Sequence, residues 1–408
     1  MQAPPLMRNP SFLVYWLARA SAALGDAMMF VALPYAVFAV SGKGNEQALA
    51  TALLVGSLPR FLGLFVGSLI DRLPLRLPLL LGSVLRSLLF LGLAALLLWP
   101  PAHTPLVQLV YAAAFLNGLL AIFVSTAGGV LLPQLVTERD LPRANSLMQV
   151  AATGVPLVGY GVAGLLVASI SVSWTVFLAA LCFLVLPLCL SLVRLPMQRS
   201  SNRRPLWRDM LDGAALLLGQ PALLLASVTA MLLNGLTMLL NVLIPGTMQV
   251  LGWGARGYGL FEALFSAGVL LGIISVSTLL GRLGLPERLM AALTCALTAF
   301  GLFAVSHSGP VFFAGALLFG MCGGMASVAV VTLFQLHTTL DNRGKVLGMF
   351  DSMSALGVTF ATMLTGWLTT VMSQQAIFLL GTGIVVILWL AYLFQRRMNP
   401  PAAAQVAD

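Results

Sequence analysis

Five charged side chains fall inside long apolar stretches, and they are the residues of this sequence best placed to do chemistry. They are Arg19, Asp26, Arg60, Arg86 and Glu262. The two carboxyl groups can bind and release a proton, whereas arginine keeps its positive charge. An ionisable group at membrane depth is costly and is by default a candidate functional residue. If the stretches cross a membrane, this set predicts proton binding linked to the binding of a ligand.

Asp26 is the central candidate among these residues. Arg19 and Asp26 are seven residues apart, so a helix places them on one face, about 10 Å apart along its axis. Whether a carboxyl at such depth is ionised depends on the cations near it. We expect Asp26 to couple protons or to contact substrate, and a static Arg–Asp ion pair is the alternative. Glu262 is either a second protonation site or a polar contact of an outer gate.

The three deep arginines and a polar stripe are candidates for the substrate cavity. If Arg19, Arg60 and Arg86 face a cavity, that cavity favours an acidic or electron-rich substrate; the alternative for Arg60 and Arg86 is an interhelical anchor. Uncharged hydrogen-bonding groups recur at helical spacing further along the chain: Asn234, Thr237 and Asn241. We interpret them as substrate contacts, with interhelical hydrogen bonds as an equal alternative.

The elements that carry these residues must be membrane helices. Of the 408 residues, 60% are hydrophobic and 8% are charged, with a mean hydropathy of +1.00. A soluble domain carries roughly 25% charged residues, so soluble enzymes and nucleic-acid binders are excluded despite a net charge of +9. A crossing helix needs about 20 mostly apolar residues. Twelve such runs are present: 11–40, 48–70, 77–99, 105–133, 145–168, 172–193, 220–249, 257–280, 288–306, 310–334, 346–371 and 375–394.

The basic residues predict how these helices are oriented. The N-terminus, the even-numbered loops and the C-terminus carry 16 Lys or Arg, and the opposite loops carry only Lys43 and Arg256. Lys and Arg resist translocation across the membrane. We therefore expect a protein of the bacterial inner membrane with both termini in the cytoplasm.

The chain is predicted to consist of two similar halves. We expect an N-terminal six-helix bundle at 1–193, a cytosolic linker with an interfacial helix at 194–219, a C-terminal six-helix bundle at 220–394 and a cytosolic tail at 395–408. Pro34 and Pro245 recur at an offset of 211 residues, which suggests a duplicated unit. The predicted fold is all-α, with two pseudo-symmetric bundles around a central cavity.

A loop motif identifies the family that the sequence resembles. The segment Gly67-Ser-Leu-Ile-Asp71-Arg72-Leu-Pro-Leu-Arg76 resembles the loop signature G-x-L-x-D-R-x-G-R-[RK] of the major facilitator superfamily, with Pro74 and Leu75 departing from it. The resemblance implies that Gly67, Asp71, Arg72 and Arg76 form a cytosolic gate latch. The alternative is a positively charged loop with one incidental acid.

Two further stretches are similar to one exporter subgroup of that superfamily. Leu132-Pro-Gln with Leu141-Pro-Arg-Ala-Asn, and Gln335 with Arg343-Gly-Lys-Val, resemble loop patterns of the enterobactin exporters and macrolide-efflux proteins, which adds Arg343 to the gate. A glycine-rich stretch carrying Gly154, Pro156, Gly159 and Gly161 resembles an antiporter signature. Simple helix packing explains those residues equally well.

These observations predict a secondary transporter rather than an enzyme. It would export small hydrophobic or amphipathic molecules such as drugs, macrolides or siderophores, by proton antiport and alternating access. A lysophospholipid or lipid flippase of the same fold is the alternative. We expect small-molecule substrate, protons and membrane lipid as partners, no nucleic acid, and a monomer. No spacing suggests a catalytic group, a metal site or a nucleotide-binding loop, so no cofactor is expected.

Overall fold

The structure is a computed structural model that describes residues 9–42, 44–62, 66, 73–74, 76–100, 105–137, 140–192, 214–280, 283–338 and 340–398. These residues form helices and connecting turns, with no strand among them. In chain order the helices are α1 Pro10–Ser41, α2 Glu46–Ser57, α3 Arg76–Leu98, α4 Leu106–Leu135, α5 Leu141–Ser169, α6 Val172–Leu192, α7 Pro221–Val250, α8 Gly254–Thr278, α9 Leu285–Val305, α10 Gly309–His337, α11 Leu340–Val371 and α12 Gln374–Met398.

The all-α membrane fold expected from the sequence is confirmed. Eleven helices in the described ranges are long and apolar enough to cross a membrane, and α2 continues as a 3-10 turn, Leu58–Leu62. The helices extend past the apolar runs where polar residues follow them; α11, for example, begins at Leu340 rather than at 346. Apolarity marks the membrane-spanning part, whereas the backbone hydrogen bonds carry the helix into the polar ends.

The sides of α3 show why this fold belongs in lipid. Its exposed side chains are leucines at helical spacing, which form one apolar stripe: Leu77, Leu81, Leu85 and Leu88. Its buried face includes small and polar groups, namely Gly82, Ser83, Arg86 and Ser87, beside apolar ones such as Leu79 and Phe90. A soluble helix has the reverse arrangement. The apolar side of α3 therefore faces a hydrocarbon environment, and its polar side faces the other helices.

The chain divides into two compact units. The first comprises Met1–Arg204 with Ile244–Ala263, and the second comprises Pro205–Leu243 with Leu264–Asp408. By its contacts the turn between α7 and α8 thus belongs with the first six helices. The assignment of 1–193 and 220–394 to two separate bundles stays a prediction.

In the first unit, α1 is the central helix, because it packs against α2, α4, α5 and α6. Its amino-terminal end is tied to neighbouring helices by hydrogen bonds. The Asn9 side-chain amide donates to the Leu135 carbonyl at 2.8 Å, and the Trp16 indole donates to the Leu147 carbonyl at 2.8 Å. Asn9 also caps α1 by accepting from the backbone N–H groups of Ser11 and Phe12. Pro34 lies inside the helix.

The second unit is held together by glycines and phenylalanines. Glycines of α8 and α10 meet so closely that a Cβ on any of them would overlap the backbone of the other helix: Gly268, Gly272, Gly320 and Gly324. This glycine contact of α8 and α10 follows the small-xxx-small pattern of membrane helices. Beside it, five rings form one cluster with centroids 5.3–6.0 Å apart: Phe300, Phe303, Phe312, Phe319 and Phe378.

Parts of the predicted organisation lie outside the described residues. Of the linker expected at 194–219, the structure describes only its end, where 214–218 are helical. Of the expected tail, 395–398 continue α12.

Candidate functional site

The first unit contains an ion pair between two of the deep charged residues. The Arg86 guanidinium on α3 donates to a carboxylate oxygen of Asp26 on α1. The same guanidinium donates through Nε to the Asn117 side-chain oxygen on α4 at 2.9 Å. Its carbon lies 4.0 Å from the ring centroid of Phe183 on α6. Three neighbouring helices therefore contribute one side chain each to hold this arginine.

The two partners of the ion pair differ in their exposure. The Arg86 side chain is 4% exposed, whereas that of Asp26 is 54% exposed. Arg86 is therefore buried between helices, and Asp26 presents an exposed carboxylate surface beside it. A group outside the pair can reach Asp26 without first displacing Arg86. This geometry suits a carboxylate that exchanges a proton or a ligand.

A glycine next to Asp26 sets the distance between α1 and α6. A Cβ on Gly25 would lie 3.0 Å from the Phe183 ring and 3.1 Å from the Ala179 carbonyl oxygen. The absence of a side chain at Gly25 therefore lets the Phe183 ring approach, and that ring lies under Arg86. The packing of α6 and the position of the guanidinium are linked in this way.

The other two deep arginines are not part of this cluster. Arg19 lies seven residues before Asp26 on α1; it is partly exposed and lies near Tyr15. The arginine that pairs with Asp26 is Arg86 of another helix. Arg60 is exposed on the 3-10 turn that follows α2.

Glu262 lies in a second buried cluster of the same unit. The side chain is 5% exposed and shares a hydrogen bond with Tyr258, one turn earlier on α8. Tyr160 on α5 interacts electrostatically with Glu262 and also with Asp26. The Phe30 ring packs against both tyrosines, at 5.5 Å from Tyr160 and 6.3 Å from Tyr258. Tyr258 therefore joins Glu262 to an aromatic cluster formed with Phe30 and Tyr160.

The glycine-rich stretch of α5 positions this aromatic cluster. A Cβ on Gly159 would lie 2.8 Å from the Ala27 Cβ of α1, and one on Gly164 would lie 2.6 Å from the Ala255 carbonyl oxygen of α8. Gly154 and Gly161, by contrast, have open space in the Cβ direction, and Pro156 lies inside the helix. Only some glycines of the predicted antiporter motif therefore serve close packing.

The three polar residues of α7 differ in their exposure and hydrogen bonding. Asn234 is exposed, and Thr237 donates to the Leu233 carbonyl of its own helix at 3.0 Å. Asn241 is buried, with its amide nitrogen 3.9 Å from the Met238 sulfur. Their assignment as substrate contacts stays a prediction.

Most of the predicted cytosolic gate lies outside the described residues. This holds for Gly67, Asp71 and Arg72, and for the side chain of Arg343, whose backbone belongs to α11. Arg76 is exposed at the first residue of α3. The described ranges contain no group of three His, Cys, Asp or Glu side chains that could hold a metal ion.

The sequence matches one family model over nearly its whole length. The model described as Major Facilitator Superfamily matches residues 15–338 and 238–408. The enterobactin exporter EntS of Salmonella typhimurium (strain LT2) is 26% identical over 411 residues, covering 98% of this chain and 96% of the relative. The enterobactin exporter EntS of Escherichia coli O81 (strain ED1a) is 27% identical over 409 residues, covering 97% and 95%.

Solved structures share the fold at lower identity. The nucleoside transporter NupG superimposes with a TM-score of 0.76 at 14% identity, covering 94% of this chain and 98% of that one. A bacterial homologue of the iron transporter ferroportin, in an inward-facing state, gives a TM-score of 0.69 at 19% identity, covering 96% and 99%. These likenesses concern the fold alone.

Proposed function

The chain belongs to the major facilitator superfamily, and we propose that it exports small amphipathic molecules from the bacterial cytoplasm in exchange for protons. It is a multi-pass membrane transporter rather than an enzyme. The specific proposal is a proton antiporter for electron-rich or acidic substrates of the siderophore kind.

The half-exposed Asp26 beside the buried Arg86 is the observation that carries this proposal. A carboxylate paired with an arginine favours the ionised state, and loss of that pairing favours protonation. Proton binding at Asp26 and movement of Arg86 away from it are therefore linked events. If substrate binds the exposed side of the ionised Asp26 carboxylate, substrate binding and proton binding at Asp26 exclude each other. This is the requirement of an antiporter.

The charge of the first unit supports an electron-rich substrate. Of the deep charged residues, the first unit carries Arg19, Arg60 and Arg86 against the two acids Asp26 and Glu262. A cavity bordered by these groups would attract anionic or catechol-type oxygen atoms more strongly than a cationic dye. The relatives named enterobactin exporter favour the same substrate class. Because their identity to this chain is low, enterobactin itself is one member of the class to test.

The remaining elements of the proposal concern the gate and the orientation. We place both termini in the cytoplasm, because the loops on the same side of the membrane as the termini carry most of the basic residues. Asp71, Arg72 and Arg76 would then lie at the cytosolic gate. Such charged contacts at a helix end can hold the gate closed and break when it opens. The protein is proposed to act as a monomer in the inner membrane.

The test is pH-gradient-driven transport by the full-length protein in proteoliposomes. Enterobactin, erythromycin and ethidium serve as catecholate, macrolide and cationic-dye probes. We expect enterobactin to dissipate an imposed pH gradient in the presence of the wild type, and Asp26→Asn to bind it without dissipating the gradient. Thr51→Ala is the control, because Thr51 is a half-buried residue of α2 whose hydroxyl donates to the Gln47 carbonyl of its own helix.

Two results would contradict the proposal. If ethidium alone were coupled to protons, the electron-rich substrate class would be wrong. If no probe moved protons but a fluorescent lysophospholipid crossed the same vesicles, the flippase alternative would replace the antiporter.

A further inference from the structure

Asn117 lies beside the Arg86–Asp26 ion pair and occupies one of the hydrogen-bond donors of the arginine. The Arg86 Nε donates to the Asn117 side-chain oxygen at 2.9 Å, and Nη2 donates to Oδ1 of Asp26. The Nε–H and one N–H of Nη2 point the same way along one edge of a guanidinium, as a fork that matches the two oxygens of a single carboxylate. In this protein the fork is therefore divided between an amide and a carboxylate.

This division leaves Asp26 with one bonded oxygen. Within the described part of the chain, the Asp26 side chain accepts no hydrogen bond other than the one from Arg86 to Oδ1. The side chain is 54% exposed, so solvent has access to the carboxylate. Each hydrogen bond donated to a carboxylate stabilises its ionised form. A carboxylate that is held by one N–H is therefore easier to protonate than one that is held by the whole fork.

Contacts with α6 fix the two helices of the ion pair relative to each other. The Ser87 hydroxyl, one residue after the arginine on α3, donates to the Ala180 carbonyl of α6 at 2.8 Å. The Ser21 hydroxyl of α1 donates to the Cys182 carbonyl of α6 at 3.0 Å. The Phe183 ring covers one face of the guanidinium at 4.0 Å. Both helices are thus tied to one short stretch of α6, and α4 supplies the amide.

Close helix contacts set the position of Asn117 on α4. A Cβ on Gly118, the next residue, would overlap the backbone carbonyl of Gly56 on α2, so α4 lies directly against α2 there. On the other side, a Cβ on Gly82 would lie 2.6 Å from a methyl carbon of Val124, and Gly82 comes one turn before the arginine on α3. Because α4 is held from both sides, its backbone places the short amide side chain against the guanidinium.

We propose that Asn117 is a positioning residue that confines Asp26 to one of the two parallel donors of Arg86 and so sets how readily Asp26 binds a proton. Asn117 acts through Arg86 and needs no contact with substrate. The inference rests on the function proposed above, because the proton affinity of Asp26 matters to transport only if Asp26 exchanges protons.

The other ionisable neighbours of Asp26 stay the same in every variant of the test. Tyr160 of α5 interacts electrostatically with Asp26. A Cβ on Gly25 would lie 3.1 Å from the Cys182 Cβ, which places that cysteine of α6 next to the aspartate. Among the described residues, the set besides Arg86 is Arg19 on α1, Tyr160 on α5, Cys182 on α6 and Glu262 on α8. A change in the protonation of Asp26 therefore comes from the substituted amide and the guanidinium that it contacts.

Two substitutions of Asn117 alter the fork in opposite ways. Asn117→Leu keeps a similar branched shape and removes the acceptor, so Asp26 can take both donors and its ionised form is stabilised. Asn117→Asp keeps the acceptor and adds a negative charge, so two carboxylates share one guanidinium and the first of them is protonated more readily. A residue that served packing alone would not shift protonation in opposite directions.

The test is a pH titration of the full-length protein in lipid nanodiscs, without substrate. Infrared difference spectroscopy follows the carbonyl stretching band of the protonated carboxyl group, and Asp26→Asn in each background assigns the band. Ser125→Leu and Ser125→Asp are the matched controls. Ser125 is an exposed residue of α4, about two turns after Asn117, and its hydroxyl donates to the Ile122 carbonyl of its own helix at 3.1 Å.

We expect the two Asn117 variants to move the midpoint of carboxyl protonation in opposite directions. Asn117→Leu should lower the midpoint pH by about one unit, and Asn117→Asp should raise it by about one unit or more, which is roughly a tenfold change in proton affinity. Both Ser125 variants should keep the wild-type midpoint. If Asn117→Leu does not fold, Asn117→Val repeats the removal of the acceptor.

Three results would overturn the proposal. The first is a midpoint that stays at the wild-type value, or moves in the same direction, in both Asn117 variants. The second is a Ser125→Asp protein whose Asp26 midpoint rises as far as that of Asn117→Asp, because long-range charge would then explain the effect. The third is an Asp26 band that is absent at every pH in the wild type and in Asn117→Asp.

The result is separable from the proposed function. Opposite shifts in the Asn117 variants of a protein that moves no substrate against a pH gradient would retain the role of Asn117 and remove the antiporter. Unshifted midpoints in a protein that couples substrate to protons would retain the antiporter and remove the role of Asn117.

Discussion

The two units of the protein both pack helices through glycines and aromatic rings, but the described part of the first unit adds a buried arginine with its ion pair. In the described part of the first unit, a buried arginine is held by an acid, an amide and an aromatic ring from three neighbouring helices. In the described part of the second unit, the close contacts are the glycines of α8 and α10 and a cluster of phenylalanine rings. The Arg86–Asp26 ion pair belongs to the first unit.

This difference assigns different tasks to the two units. Glycine contacts and ring packing give tight association but have no group that changes its charge. Arg86, Asp26, Asn117 and Phe183 form what we call the polar cluster. This cluster can change its charge, because the carboxyl group of Asp26 can bind a proton and is half exposed. We therefore infer that the first unit carries the proton chemistry and that the second unit serves as an apolar framework. Four substitutions test this division, from the largest expected effect to the smallest.

The largest expected effect is that of Asp26→Ala. It leaves the guanidinium of Arg86, 4% exposed, without a counter-charge, and an uncompensated buried charge costs about 3 kcal/mol or more. Arg86→Met leaves instead a carboxylate that is 54% exposed and that water can solvate, so its cost should be about 1 kcal/mol. Chemical denaturation in detergent measures both.

The double variant Asp26→Ala/Arg86→Met provides the control for this asymmetry. It removes both charges and should be more stable than Asp26→Ala alone. The asymmetry would be contradicted if the two single variants lost equal stability and the double variant lost the sum of the two. The difference in exposure between Arg86 and Asp26 would then not affect the free energy of unfolding.

A substitution in the glycine contact of α8 and α10 should have the next largest effect. A Cβ on Gly272 would overlap the backbone of Met321, so Gly272→Ala forces the helices apart at a cost of about 1–3 kcal/mol. Gly301→Ala on α9 is the matched control, because nothing lies within 4 Å of its Cβ position. We expect the control to be neutral or slightly stabilising. A Gly272→Ala protein with wild-type unfolding temperature would show that the framework is not packed in this way.

Phe183→Leu tests the aromatic member of the polar cluster. It removes the ring that lies 4.0 Å from the Arg86 guanidinium and 5.7 Å from the Phe90 ring. We expect a loss of about 1–2 kcal/mol in stability, together with a changed pH profile of transport. Phe312→Leu, in the ring cluster of the second unit, should lose stability with an unaltered pH profile. An equal change of the profile in both would contradict the division.

The smallest expected effect separates two glycines of the antiporter-like motif. Gly159→Ala brings its Cβ to 2.8 Å from the Ala27 Cβ and should cost about 1 kcal/mol. Gly161→Ala meets open space and should be neutral in stability. Thermal unfolding compares the two. If Gly161→Ala nevertheless abolished coupling, the motif would act through something other than helix packing.

The membrane helices were predictable because apolarity over about 20 residues is a local property. The depth of Asp26 and Glu262 was predictable for the same reason. The partner of Asp26 was not, since Arg86 comes from another helix and helix pairing depends on tertiary contacts. Arg19, seven residues away on the same helix, was the candidate that the sequence offered.

Asn117, Tyr160 and Tyr258 were not among the site residues predicted from the sequence. A signal was present in each case. An asparagine inside an apolar run has to find a hydrogen-bond partner, and a tyrosine hydroxyl buried in a membrane has to do the same. Which partner each one finds could not be inferred, because glycines such as Gly159 and Gly164 decide which helices approach closely enough.

The most direct test of the central claim is the number of protons released when substrate binds. The purified protein is placed in a weakly buffered detergent solution with a pH-sensitive dye near neutral pH, and enterobactin is added to the wild type and to Asp26→Asn at equal occupancy. If Asp26 exchanges its proton for substrate, the wild type changes the dye signal and Asp26→Asn binds the probe without doing so. An identical signal from the two proteins would contradict the assignment of proton coupling to Asp26.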